Sequence, residues 1–169
     1  MRRITIIAGV LIALFFDAIL FQRLNIAGIR PDVLLALVVN LGILQGSVTG
    51  GVTGLCAGLV CDLLFGPGIG LHAGLYFLCG VVSGLFYRRF WADNYTVHGL
   101  CGLCCAMVKE LVLALVTALL GSHLPFGRTL FTYILPCAVC TGLLSMVLRL
   151  PLKSLLEHQT RRHYDHRNL

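Results

Sequence analysis

The run from Gly46 to Asp62 carries glycines at positions 46, 50, 51, 54 and 58 inside an apolar segment that ends on a single carboxylate. Each glycine in a helix interior costs roughly 1 kcal/mol relative to alanine, so in water such a run argues for a loop. In a bilayer it argues for a helix whose backbone a neighbour approaches closely, because helix association there rests on packing rather than on expulsion of water. At about 100° per residue, Gly51, Gly58 and Asp62 fall within about 40° of one another, with Gly54 just beside them. The expectation is a helix-packing face made by Gly51, Gly54 and Gly58, with Asp62 directed into that contact and away from lipid.

Composition places the whole chain in lipid. Of 169 residues 58% are hydrophobic and only 12% charged, and the mean hydropathy is +0.92. A soluble domain needs far more polar surface to face water. The apolar runs are continuous rather than alternating, which excludes the pattern of a transmembrane β-barrel. The fold class expected is an all-α polytopic membrane protein with six transmembrane helices. The spans are about Ile4–Phe21, Pro31–Leu44, Ser47–Phe65, Ile69–Tyr87, Val97–Gly121 and Thr129–Leu150. The second is short for a hydrocarbon core that takes about 20 residues to cross. It cannot be merged with the third, because Pro31 to Phe65 as one helix would reach roughly 50 Å. The break falls at Gln45-Gly46-Ser47, and Gly66-Pro67-Gly68 supplies the next turn. Residues 1–150 thus form a single six-helix domain, and 151–169 form a polar, basic tail.

The net charge of +6 could point to nucleic acid, but its distribution points to topology. With an even number of spans, one side holds Arg2, Arg3, Arg88, Arg89, Arg149, Lys153, Arg161, Arg162 and Arg167, and the other holds Arg23, Arg30 and Arg128. That bias puts both termini in the cytoplasm. Arg2-Arg3 before an apolar run looks like a signal peptide, but no small-residue cleavage site follows and Asp17 interrupts the run, so an uncleaved first helix is expected. Tyr87, Trp91 and Tyr95 cluster by the inner loop as an aromatic belt.

The eight cysteines all lie within or at the ends of apolar segments, where cysteine behaves as a small hydrophobe. Cys101/Cys104 and Cys137/Cys140 have metal-like spacing and would share a helix face. Four thiolates in a bilayer are costly unless a metal neutralises them, so packing is the expected role and metal or redox chemistry the alternative.

Ionisable residues within the spans must face protein, find a partner or reach the headgroups. Asp62 is expected either to anchor the turn that follows it or to reach the interface. Lys109 and Glu110 sit well inside the fifth span and point about 100° apart, so they are expected to pair with other helices rather than with each other: Lys109 with Asp62, Glu110 with a serine or histidine. Asp32 suits the positive N-terminal end of the second helix, worth about 0.5 kcal/mol at an exposed site. Arg30, on the outer face, could instead meet an external partner. Asp17 reads as structural or interfacial, and His72 as structural.

Enzyme chemistry finds no support in these patterns. Gly80-Val81-Val82-Ser83-Gly84 is superficially similar to an intramembrane serine-protease motif, but its spacing is wrong and the sixth span has no histidine to serve as base. The zinc-protease helix motif and a phosphate-binding loop are absent, and the seven acids are too scattered to hold magnesium. No catalytic residue, metal or cofactor is expected.

Arg30-Pro31-Asp32 opens a short apolar helix and is followed by Gly54-xxx-Gly58-xx-Cys61-Asp62-Leu63-Leu64-x-Gly66-xxx-Gly70. This order of features resembles the rod shape-determining protein MreD family, most closely between Arg30 and Arg89. The resemblance implies a non-enzymatic component of the bacterial cell-elongation complex in the inner membrane. It implies as partners an MreC-like single-span membrane protein, the MreB filament and the peptidoglycan synthases, alongside membrane lipids and without nucleic acid. The family is also similar in architecture to the S components of energy-coupling-factor transporters. That supplies the alternative function, a binding subunit for a vitamin-like small molecule.

Overall fold

A computed structural model describes residues 9–17, 31–65, 70–87, 94–119 and 130–165, with Phe65 and the residues beyond Leu152 described by backbone alone. Every element among them is helical: α1 (residues 9–17), α2 (Val33–Gln45), α3 (Ser47–Phe65), α4 (Leu71–Gly84), α5 (Tyr95–Leu119), a π-helical turn (Leu130–Ile134), and α6 (Leu135–Asp165). Arg30, the Gly66-Pro67-Gly68 turn and Trp91 lie outside the described residues.

Among the described residues three stretches are long and apolar enough to cross a membrane: Ser47–Leu64, Tyr95–Leu119 and Leu130–Leu152. The helices α2 and α4 are shorter, at 13 and 14 residues. At 1.5 Å per residue α2 is about 20 Å long, well under the ~30 Å of hydrocarbon. Its environment explains how so short a helix is stable. Every residue from Val33 to Ile43 is buried, and α3, α4, α5 and α6 all pack on it. A helix that is apolar all round belongs in a core, and here protein rather than lipid surrounds it.

Two close pairs flank α2: α3 with α4, and α5 with α6. Gly46 makes the first connection possible. Its φ of +98° lets the chain reverse between α2 and α3, a backbone conformation that costs glycine nothing. The resulting hairpin is tight because Gly42 and Gly50 face each other, a β-carbon at Gly50 falling 2.6 Å from the Gly42 Cα.

The glycine row of α3 is not quite the one the sequence suggests. Gly50, Gly54 and Gly58 follow one another at intervals of four and meet the backbone of α4. A β-carbon would lie 2.5 Å from the Gly80 carbonyl oxygen at position 50, on the Tyr76 carbonyl at position 54, and 2.5 Å from the Ala73 Cα at position 58. Gly51 is also buried but faces the side chains of Val81 and Phe77. Gly54 and Gly58 therefore stand in the backbone contact, Gly50 completes it, and Gly51 lies at its edge. A second such contact, not anticipated, joins α5 to α6, where Gly99, Gly102 and Gly142 meet Met146, Ser145 and Leu103.

At the last span the helix does not stop at Leu150 but runs through Pro151 to Asp165. The π turn precedes Pro136, whose ring nitrogen cannot donate a helical hydrogen bond. Outward faces carry large apolar side chains, among them Leu55 and Leu63 of α3, Leu100 and Val108 of α5, and Leu143 and Val147 of α6, as lipid contact requires.

Candidate functional site

The N-terminus of α2 opens with four backbone N–H groups that no helical carbonyl can accept. Two come from Val33 and Leu34, and both donate to the Asp17 carboxylate of α1, at 2.9 and 3.0 Å. The third, from Leu35, donates to the Asp32 side chain at 2.7 Å, and the fourth, from Asp32 itself, to the Thr141 hydroxyl of α6 at 3.1 Å. The Ala36 N–H makes the first regular helical bond, to the Asp32 carbonyl at 3.2 Å. This end of α2 is thus satisfied from three helices, as burial demands.

The second oxygen of Asp32 binds two further helices. It accepts from the Tyr76 hydroxyl of α4 and from the Lys109 ammonium of α5, each at 2.6 Å. Lys109 lies 2.9 Å from Glu110 as well, and its ammonium sits 5.9 Å from the centre of the Tyr76 ring. Asp32, Lys109 and Glu110 are all buried. Position along α5 puts this cluster about 21 Å from the start of that helix and about 15 Å from its end. It is therefore near the middle of the span.

These positions correct three expectations. Asp32 is an N-cap but not an exposed one. Lys109 pairs with Asp32, not with Asp62. Glu110 pairs with its own neighbour Lys109, because the long lysine side chain bridges the angle between adjacent positions.

Asp62 stands in a separate cluster at the far end of α3. Its carboxylate accepts from the backbone N–H groups of Gly70, His72 and Ala73 at 2.9, 3.1 and 3.0 Å, and lies 2.7 Å from the His72 Nδ1. It is buried, with 2% of its surface exposed. The α4 N-terminus begins at Gly70, whose φ is +109° and which has no side chain to serve as a cap, so Asp62 supplies the cap from another helix. Removing a helix cap costs ~0.5–2 kcal/mol, and this one serves three donors in apolar surroundings. Asp62→Ala is expected to lower detergent-phase stability by about 2 kcal/mol, with Asp62→Asn retaining part of it. Thermal unfolding followed by size exclusion reads both.

A third polar row lies nearer the α2 C-terminus and is not among the sites the sequence suggests. The Asn40 amide donates to the Ala36 carbonyl and to both the carbonyl and hydroxyl of Ser145, at 2.8, 3.0 and 2.9 Å. Its oxygen lies 2.7 Å from the His98 Nδ1. All three residues are fully buried. One turn below, the Arg149 guanidinium stacks 4.2 Å from the centre of the Tyr95 ring. The signal was present as spacing: His98 and Lys109 are eleven residues apart, three turns on one face of α5, and Thr141, Ser145 and Arg149 recur every fourth residue on α6.

Cysteines contribute packing and surface. Cys79, Cys105 and Cys137 are buried, whereas Cys56 and Cys104 are exposed. Cys104→Ala is expected to change stability by no more than ~0.5 kcal/mol, as for other surface positions, in the same unfolding measurement. Among the described residues no three His, Cys, Asp or Glu side chains converge to hold a metal ion. Ser83, the serine of the Gly80–Gly84 run, is buried and donates its hydroxyl to the Gly80 carbonyl at 3.0 Å.

What this arrangement does chemically is fasten helices. Asp17 and Asp32 close the N-terminus of α2, Asp62 closes that of α4, and Lys109 of α5 holds both Asp32 and Glu110. No curated protein and no solved structure matches the chain. The family model for the rod shape-determining protein MreD matches residues 1–159 of the 169. A membrane protein built from short and long apolar helices around a buried capped core, matched over nearly its whole length, the chain belongs to the MreD family of rod shape-determining proteins.

Proposed function

We propose that this membrane protein is a non-enzymatic scaffold of the cell-elongation complex, which builds peptidoglycan in rod-shaped cells. The observation that supports this reading is the use of its charged groups. Asp17 and Asp32 cap α2, Asp62 caps α4, and Lys109 holds α2 to α5. These groups are committed to architecture rather than set out as nucleophile, base or metal ligands. The working surface is then the outward apolar faces and the loops, which receive a single-span partner such as an MreC-like protein and, through it or directly, the MreB filament and the peptidoglycan synthases. In this reading residues 1–150 hold six spans, the bias of basic residues puts both termini on the cytoplasmic side, and residues 151–169 lie beside anionic lipid.

One observation favours a second reading. Asp17, Asp32, Lys109 and Glu110 gather at mid-span depth, and such a polar cluster within the bundle would also suit the binding of a vitamin-like small molecule by a transporter S component. Co-purification of tagged protein in mild detergent separates the two readings, with mass spectrometry of both proteins and extracted small molecules. The scaffold reading predicts recovery of an MreC-like protein or a wall synthase. Recovery of an ATPase-linked coupling subunit with a stoichiometric small molecule would overturn it.

A further inference from the structure

Three carboxyl groups and one ammonium meet at the start of α2, and their charges do not balance. Asp17 accepts from the Val33 and Leu34 N–H groups at 2.9 and 3.0 Å, and Asp32 accepts from the next one, Leu35, at 2.7 Å. Donors on consecutive residues of one helical turn bring these two carboxyl groups side by side. Lys109 adds the third acid, its ammonium lying 2.6 Å from Asp32 and 2.9 Å from Glu110. Fully ionised, the cluster carries three negative charges and one positive, a net charge of −2 near the middle of the span. Among the described residues no second cation contacts any of the three acids, and Glu110 has no partner but Lys109. The helices around the cluster supply little to offset this. Tyr76 of α4 gives Asp32 a neutral hydroxyl at 2.6 Å, and His72, a turn earlier on α4, is held by Asp62. The Cys61 thiol of α3, packed against the same core, adds no positive charge. From α6 comes only the Thr141 hydroxyl, which accepts from the Asp32 N–H. The α2 N-terminus contributes the equivalent of roughly half a positive charge.

Uncompensated charge in apolar surroundings is costly enough that such groups take up protons instead. We infer that this cluster is a proton-binding site, which at neutral pH holds at least one proton beyond those of Lys109, on the carboxyl group of Asp17 or Glu110. Asp32 keeps its negative charge, because an ammonium, a hydroxyl and a backbone N–H all donate to it. The bound proton is part of what fastens the helices, since it lets α1, α2 and α5 bring their acids together with less repulsion. In the unfolded chain the same carboxyl groups face water and titrate at about pH 4. At neutral pH the folded chain therefore binds more protons than the unfolded one, and its stability falls as pH rises. Each such proton changes the unfolding equilibrium constant by about tenfold per pH unit, until the folded cluster gives the proton up.

Infrared spectroscopy of the full-length protein in vesicles of its native lipids tests this. At neutral pH the unmutated protein is expected to show the carbonyl stretch of a protonated carboxylic acid. Carbon-13 at the side-chain carboxyl of either aspartate or glutamate shifts that band and tells Asp17 from Glu110, and the band is lost in Asp17→Asn/Glu110→Gln. Thermal unfolding in micelles gives a second readout. The midpoint is expected to fall as pH rises from about 5 to about 8, a window in which histidines also titrate. The share of the cluster is the part of that slope which Asp17→Asn or Glu110→Gln removes. A spectrum of the unmutated protein with no carboxylic-acid band at neutral pH would overturn the inference, even if the variants do not fold. So would a band that survives the double variant, or a pH slope that both single variants leave unchanged.

Discussion

Leucine at position 58 is expected to remove the protein from the folded, detergent-soluble pool. The reason is where the new side chain would go. A β-carbon alone at Gly58 lies 2.5 Å from the Ala73 Cα and 2.7 Å from the His72 carbonyl oxygen, and both belong to the α4 backbone. Overpacking among side chains costs ~1–3 kcal/mol because rotamers can yield. Here nothing yields short of moving α4, and moving α4 withdraws Ala73 and His72 from the Asp62 carboxylate that caps them. The clash and the lost cap add, so the cost exceeds that range. Gly54→Leu is expected to behave alike, since its β-carbon falls on the Tyr76 carbonyl. Fluorescence-detected size exclusion of tagged variants reads the result: a void-volume peak or no peak for both leucine variants, against a monodisperse peak for Cys104→Ala. A monodisperse Gly58→Leu protein with the thermal stability of the parent would contradict the packing described.

Lys109→Met is expected to destabilise by about 3–5 kcal/mol, the cost of leaving a buried carboxylate without its cation. The substitution keeps the length and apolar stem of lysine and removes only the ammonium that Asp32 and Glu110 share. Asp32→Asn alone keeps the Leu35 cap in part but leaves the ammonium with Glu110 only. The paired variant Asp32→Asn/Lys109→Met removes both charges of that contact, which relieves the stranded Asp32 carboxylate but still leaves the buried Glu110 without its ammonium. The double variant is therefore expected to be more stable than Lys109→Met, a coupling of the size found for residues in one buried network. Denaturation in mixed micelles across the four proteins measures it. Additive effects would show that the contact carries no coupling.

Much of this architecture is legible in the sequence because hydropathy and helix-breaking residues are local. The break at Gly46 and the helical course of α3 follow from glycine, proline and apolar run length. The row of glycines in contact with the α4 backbone starts at Gly50 rather than at Gly51. An angular rule groups Gly51 with Gly58 over seven residues, whereas the backbone contact follows the four-residue row through Gly50. Choosing between them requires knowing the angle at which α4 crosses, which is a tertiary quantity. The pairing of charges was least legible. Asp32 and Lys109 are 77 positions apart, and nothing local says that the short α2 is sunk among four helices so that its N-terminus meets the middle of α5. The shortness of α2 was visible. Its consequence, that a cap at its start is a deeply buried group, follows only once protein surrounds it.

We propose that the intramembrane charges hold helices rather than carry out chemistry. The most direct measurement is shape rescue by the charge-free pair. Asp32→Asn/Lys109→Met is expressed in rod-forming cells depleted of their own MreD-family protein, with its folded amount checked by size exclusion and cell width read by microscopy. The account predicts rods of parental width whenever the double variant accumulates as folded protein. Folded double variant at parental levels in cells that remain round would contradict it, and would assign the Asp32–Lys109 pair to ligand or proton handling instead.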